Sequence, residues 1–146
     1  MLDAVIGGST YAFGVQLRLT STAQDGRRTP LLGGAGREAM FQYCPNWGLP
    51  HMTPPDQTGA RVLAFSKENI HPGDEVRVVI VPPYPQMVGE WTRIVVGDVL
   101  PMYEGPRVCG HGRVLWRRGT QLPVPRRDEE MFRAWVLDPS TPAEPD

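Results

Sequence analysis

Phe13-Gly14-Val15-Gln16-Leu17-Arg18-Leu19-Thr20 sets the period of this chain. Phe13, Val15, Leu17 and Leu19 alternate with Gln16, Arg18 and Thr20, so apolar side chains return at every second residue. That spacing gathers them on one face of an extended strand and would scatter them around a helix. Downstream, Asp25-Gly26 marks a turn, and Thr29-Pro30 to Gly36 reads as a glycine-rich loop. Glu38 to Cys44 is expected as a second strand. Ala60 to Phe65 is a third, with Val62 and Ala64 on one face and Leu63 and Phe65 on the other. Between them, Cys44 to Gly59 holds four prolines and two glycines and reads as an irregular surface excursion.

Ile70-His71-Pro72-Gly73-Asp74 gives the next reversal, because Pro-Gly presets a tight turn. Glu75 to Val81 is a nearly continuous β-branched run, suited to a strand buried on both faces, and Pro82, Pro83 and Pro85 stop it. Trp91 to Val96 reads as a fifth strand and Val108 to Trp116 as a sixth. Gly110 and Gly112 inside the last imply close backbone approach or barrel curvature. Six short strands separated by turns imply an all-β fold, an antiparallel barrel or sandwich. The expected domain covers 1–118, and 119–146 forms an appendage. Within that appendage Gly119 to Pro125 is a linker, and Asp128 caps a short helix from Glu129 to Leu137. Met131, Phe132 and Trp135 make the helix's apolar stripe, and Pro139 to Asp146 reads as a disordered tail.

Sixteen glycines and sixteen prolines among 146 residues leave little room for long helices. The net charge of −1 argues against indiscriminate polyanion binding by the whole surface. Its distribution is uneven. Between Gly105 and Arg127 lie six arginines and no acid, whereas acids predominate after Arg127. The basic stretch could meet an anionic partner, neutralise the acidic tail, or form a solvated face. No secretory signal and no run of roughly 18 apolar residues is visible, so a cytoplasmic protein with Cys44 and Cys109 as free thiols is expected.

Three stretches, in order, resemble the third domain of elongation factor Tu. Asp25-Gly26-Arg27-Arg28-Thr29-Pro30 is similar to that family's acidic-Gly-Gly-Arg-His-Thr-Pro loop. Thr58-Gly59 followed by Ile70-His71-Pro72-Gly73-Asp74 is similar to its Thr-Gly strand start and Met-Pro-Gly-Asp turn. Glu104-Gly105-Pro106-Arg107-Val108-Cys109-Gly110-His111-Gly112 is similar to its closing Glu-Gly-Gly-Arg-Thr-Val-Gly-x-Gly strand. The resemblance spans Val15 to Leu115 and implies a six-stranded antiparallel Greek-key-type barrel followed here by a short C-terminal helix.

In the family this barrel contacts the T-stem of aminoacyl-tRNA and packs on the GTPase domain. The family's RNA-contacting arginine corresponds to Arg27, its following histidine to Arg28, and its backbone-contacting glycine to Gly105. Arginine at position 28 still suits a phosphate. The family's Tyr-Arg-Pro-Gln-Phe run reads Gly36-Arg37-Glu38-Ala39-Met40, which keeps Arg37 and loses the glutamine. Pro106 replaces the second glycine, and the Cys44 to Gly59 excursion is longer than the family's loop. Arg27, Arg28, Arg37, Gly105 and Arg107 are thus the RNA-binding candidates.

The sole lysine, Lys67, lies in no phosphate-cradling glycine loop, so neither nucleotide nor another cofactor is expected. Cys44, His51, His71, Cys109 and His111 are zinc-type ligands in no finger spacing, and no metal is expected. A Cys109–His111 nucleophile pair is the one enzymatic alternative, set against a cysteine that is simply a small buried hydrophobe. The favoured expectation is a non-catalytic module that binds a protein partner, through exposed Trp47 and Met52 in the excursion and Met131 and Trp135 on the helix. Its alternative is an RNA-binding, tRNA-like role. No membrane partner is expected.

Overall fold

A computed structural model describes residues 8–83, 85–138 and 140. The strands are β1 (Gly8–Leu19), β2 (Leu31–Leu32), β3 (Asn46–Trp47), β4 (Thr58–Gly59), β5 (Arg61–Phe65), β6 (Asn69–Ile70), β7 (Glu75–Val81), β8 (Val99–Glu104) and β9 (Arg107–Leu122). Among the described residues one α-helix, α1 (Arg126–Leu137), follows. The fold is mostly β and its pairings are antiparallel. A seven-stranded sheet runs β4-β3-β8-β9-β1-β7-β5, and β2 pairs with β6 separately. Ahead of β3, Tyr43 bridges Val62 of β5, with Val62 N–H donating to the Tyr43 carbonyl at 2.9 Å.

The alternation that opens the chain sends Phe13, Val15, Leu17 and Leu19 into an inner core with Val78, Ile80, Leu100 and Met102. Trp47 is fully buried there, its indole N–H donating to the Ala60 carbonyl at 3.1 Å. Gly112 faces Val15 and Trp47, and Gly110 faces Leu17 and Leu19, so both lack side chains where the core is most crowded. A second apolar layer lies outside the sheet, where Phe132, Trp135 and Val136 of α1 pack on Ala12, Leu63, Ala64, Val79 and Trp116. Trp116 stacks on Phe132 at 5.5 Å and meets Trp135 edge-on at 5.2 Å. Burying each of these side chains stabilises the docked helix by about 1.5–3 kcal/mol.

Bulges decide which side chains reach each layer. Gly14 pairs with Trp116 and Val15 with Val114, so Leu115 is an inserted residue. Likewise Val62 pairs with Ile80 and Ala64 with Val79, leaving Leu63 between. An extra residue shifts the side-chain phase by one. Val62 and Phe65 therefore join the inner core while Leu63 and Ala64 face the helix, unlike the simple alternation expected.

Four expected elements are otherwise. Glu38 to Cys44 is no strand: a 3-10 turn covers Arg37–Ala39, and Phe41 at φ 59° swings the chain out of extension. Trp91 to Val96 is a 3-10 helix, Gly89–Arg93, and then a turn held by Asp98, whose carboxylate accepts the Val95 N–H at 2.9 Å. The strand lies one step later, at β8, where Pro101 obscured it. The Pro101 carbonyl still accepts the Gly48 N–H at 2.9 Å, so only the missing donor is lost, beyond the end of short β3. The expected linker from Gly119 is largely strand, since β9 continues to Leu122. α1 begins at Arg126 with Pro125 at its N-cap, and Asp128 instead accepts the Thr120 hydroxyl at 2.8 Å. The tail reading falls outside the described residues, Ser140 apart.

Candidate functional site

The loop after β1 and the β8–β9 hairpin meet at one end of the sheet. The Ile-His-Pro-Gly-Asp turn joins them there, with Gly73 at φ 93° donating to the Leu19 carbonyl at 3.0 Å. Arg27, the resemblance's RNA-contacting arginine, is not free. Its guanidinium pairs with Glu104 and also donates to the Thr29 and Pro30 carbonyls at 3.2 and 3.3 Å. The Tyr43 hydroxyl donates to the same Glu104 oxygen at 2.5 Å. Burial, then that carboxylate, push the Tyr43 hydroxyl far above its ordinary value, so it stays a neutral donor. Glu104 thus spends its charge on a half-buried brace that ties loop, hairpin and strand lead-in together.

Of the other RNA candidates, Arg28 and Arg107 are exposed and form no ion pair among the described residues, and Gly105 forms the hairpin turn at φ 62°. Arg107 is the register partner of Glu104, so Arg27, Arg28 and Arg107 share one end. Arg37 stands apart, at 3.6 Å from Glu129 on α1. Glu129 is buried, and Arg133 meets it at 3.3 Å while donating to the Ala35 carbonyl at 2.6 Å. Arg37 therefore helps seat the helix instead of extending a cationic face.

Two of the protein-interaction candidates are corrected. Trp47 is fully buried, because the proline-rich excursion lays a short strand beside β8 and turns the indole into the inner core. Trp135 is 6% exposed, because α1 lays its stripe on the sheet. Met52 and Met131 are half-buried, each packed at the border of a core layer.

The surface that remains open lies elsewhere. Outward from β8 point Val99 and Pro101, with Tyr103 on the same side but only 6% exposed. With Leu49, Pro50, Met52 and Pro54 of the excursion they line a groove of about 240 Å³. Across from them on β9, Arg113 pairs with Val99 and His111 with Pro101. Next on β1, Gln16 pairs with Arg113 and Arg18 with His111. Val95 and Val96, 58% and 63% exposed, lie on the turn feeding β8. Of these residues only Met52 was a protein-interaction candidate by sequence; His111 was named there for metal or nucleophile chemistry, and Gln16 and Arg18 as the polar face of the first strand. The signal was the phase shift at Leu115, which composition does not reveal.

Cys109 is the inserted residue of a third bulge, between Val108 and Gly110, and turns into the core. His111 is exposed, so the two do not meet as a nucleophile pair. Burial, then the Glu104 charge, push the Cys109 thiol up to about 11. Among the described residues no three His, Cys, Asp or Glu side chains gather as metal ligands, and no helix is long and apolar enough to cross a membrane. Neither a family model nor a curated protein matches this sequence.

Proposed function

We propose that this chain is a cytoplasmic, non-catalytic binding module that engages a protein partner. Its body is a six-stranded antiparallel Greek-key-type barrel resembling the third domain of elongation factor Tu. Closure is supported by the hydrogen bonds joining Phe41 and Tyr43, ahead of β3, to Val62 of β5 at the far end of the strand order. The six staves are then the β3 lead-in, β8, β9, β1, β7 and β5. The free thiols Cys44 and Cys109 suit a reducing compartment.

The observation that carries protein binding is the run of exposed Val95, Val96 and Val99, on the turn into β8 and at its first residue, with Val99 lining the groove. Apolar surface of this kind, left bare while an amphipathic helix covers another part of the same sheet, marks a contact surface. The test is affinity capture from native cytoplasm with wild-type protein and a Val96→Asp/Val99→Asp variant. A partner retained by the first and lost by the second supports the reading, and identical retention contradicts it.

A second reading, tRNA-like binding, draws on Arg28 and Arg107 at the hairpin end. It is weakened because Glu104 neutralises Arg27 and Glu129 engages Arg37. An electrophoretic shift with tRNA at two salt concentrations decides it: binding that weakens steeply with salt and is abolished by Arg28→Glu/Arg107→Glu favours RNA. No shift at low salt removes it.

A further inference from the structure

We infer that the partner presents a segment combining an apolar anchor with carboxylates, and that it seats across β8, β9 and β1. This deepens the protein-binding reading and rests on it. Three observations converge on the occupant. The groove of about 240 Å³ falls below the roughly 300–1,000 Å³ of small-molecule sites and suits one or two anchoring side chains. Its open walls are the apolar Pro50, Met52, Pro54 and Val99, while Leu49 and Tyr103, 3% and 6% exposed, add little open surface.

Beside it, the outward positions of β9 and the C-terminal part of β1 carry Arg113, His111 and Arg18, and no carboxylate. The Arg113 side chain is exposed and, among the described residues, makes no hydrogen bond or ion pair. Arg18 reaches only Glu75, at 4.0 Å with both side chains largely exposed, a contact worth little. Glu104, the acid at the end of β8, is turned to Arg27 and Tyr43. Two further acids lie near: Asp98, beside Val99, whose carboxylate accepts the Val95 N–H at 2.9 Å, and Asp56, on the excursion side of the groove.

Neighbouring strands lie about 4.8 Å apart, so carboxylates on the segment would sit roughly 5–10 Å from its anchor, on the β9 and β1 side. RNA fits less well. Two arginines are few against the six to ten phosphate contacts of a typical nucleic-acid interface, and the groove offers hydrocarbon where a backbone needs donors. Asp56 adds a preference for direction, since a segment laid the other way would bring its carboxylates against that acid.

The test is fluorescence anisotropy on the full chain with three labelled probes. These are a short peptide alternating Leu or Phe with Asp or Glu, the same peptide with Lys for every acid, and single-stranded RNA. The acidic apolar peptide should bind best, and Val99→Asp and Arg113→Glu should each weaken it about tenfold or more. Arg28→Glu, at the hairpin end, should leave it unchanged. Thermal melting of each variant separates lost binding from lost folding; the replaced side chains are exposed. If the acidic peptide binds but ignores Val99→Asp and Arg113→Glu, this surface is wrong while a protein-binding module survives. If the lysine peptide binds equally, or no peptide binds, the inference falls. RNA binding alone overturns both the inference and the reading beneath it.

Discussion

The outer face of the sheet has two halves with opposite fates. Over β5, β7, the first part of β1 and the later part of β9 it carries Ala12, Leu63, Ala64, Val79 and Trp116, and α1 covers it. Over β8, the first part of β9 and the later part of β1 it carries Val99, Pro101, Arg113, His111, Gln16 and Arg18, and no helix of the described chain covers it. The changeover on β9 is one residue, Leu115, whose insertion lets both Trp116 and Arg113 point outward. Glycine at position 14 completes the covered half, because the Trp116 indole occupies the space a Cβ would need. The same strand thus stabilises the fold at one end and offers binding chemistry at the other.

Substitutions should separate these halves. On the covered side, Phe132→Ala removes a ring stacked on Trp116 and should cost about 3–5 kcal/mol in urea unfolding. Val99→Asp on the bare side should stay within about 0.5 kcal/mol of wild type in the same experiment. Similar losses for the two would erase the distinction. The hairpin end should fall between them. Glu104→Gln leaves Arg27 without its countercharge and should cost about 1–2 kcal/mol, discounted for the partial exposure of both side chains.

Two smaller effects sharpen the picture. With a colorimetric thiol reagent, exposed Cys44 should react promptly, whereas Cys109, buried and raised to about 11, should react only on unfolding. A fast second thiol would revive the Cys109 nucleophile. Finally, Asp74 is held below the ordinary carboxyl value, first by the Lys67 ammonium at 2.6 Å and then by the His71 N–H. Its small contribution is therefore present above the ordinary carboxyl range and is lost as pH falls through the lowered value. Asp74→Asn should flatten the acid limb of a melting profile slightly and leave neutral pH nearly unchanged.

The parts of this architecture readable in sequence were those with local cause. Period-two alternation disclosed β1, the β-branched run disclosed β7, and Pro72-Gly73 disclosed the turn between β6 and β7. Elements set by distant contacts were not readable. Trp91 and Ile94 mimic a strand, yet both enter the inner core from a 3-10 helix and its following turn. Pro101 argues against a strand locally, but β8 tolerates it beyond the reach of β3. Trp47 sits in a proline-rich stretch that implies exposure, yet its indole finds the Ala60 carbonyl inside. The candidate arginines were legible as residues, but their pairing with Glu104 and Glu129 depends on neighbours up to 92 positions away in sequence (Arg37 to Glu129).

The docking role assigned to the bare half of the sheet is tested most directly by amide chemical-shift mapping during titration with the acidic apolar peptide. The account predicts shifts concentrated at Val95 to Tyr103 and at His111 to Arg113, with α1 and the Arg28 loop quiet. Shifts centred on Arg28 and Arg107, or on the exposed side of α1, would contradict it.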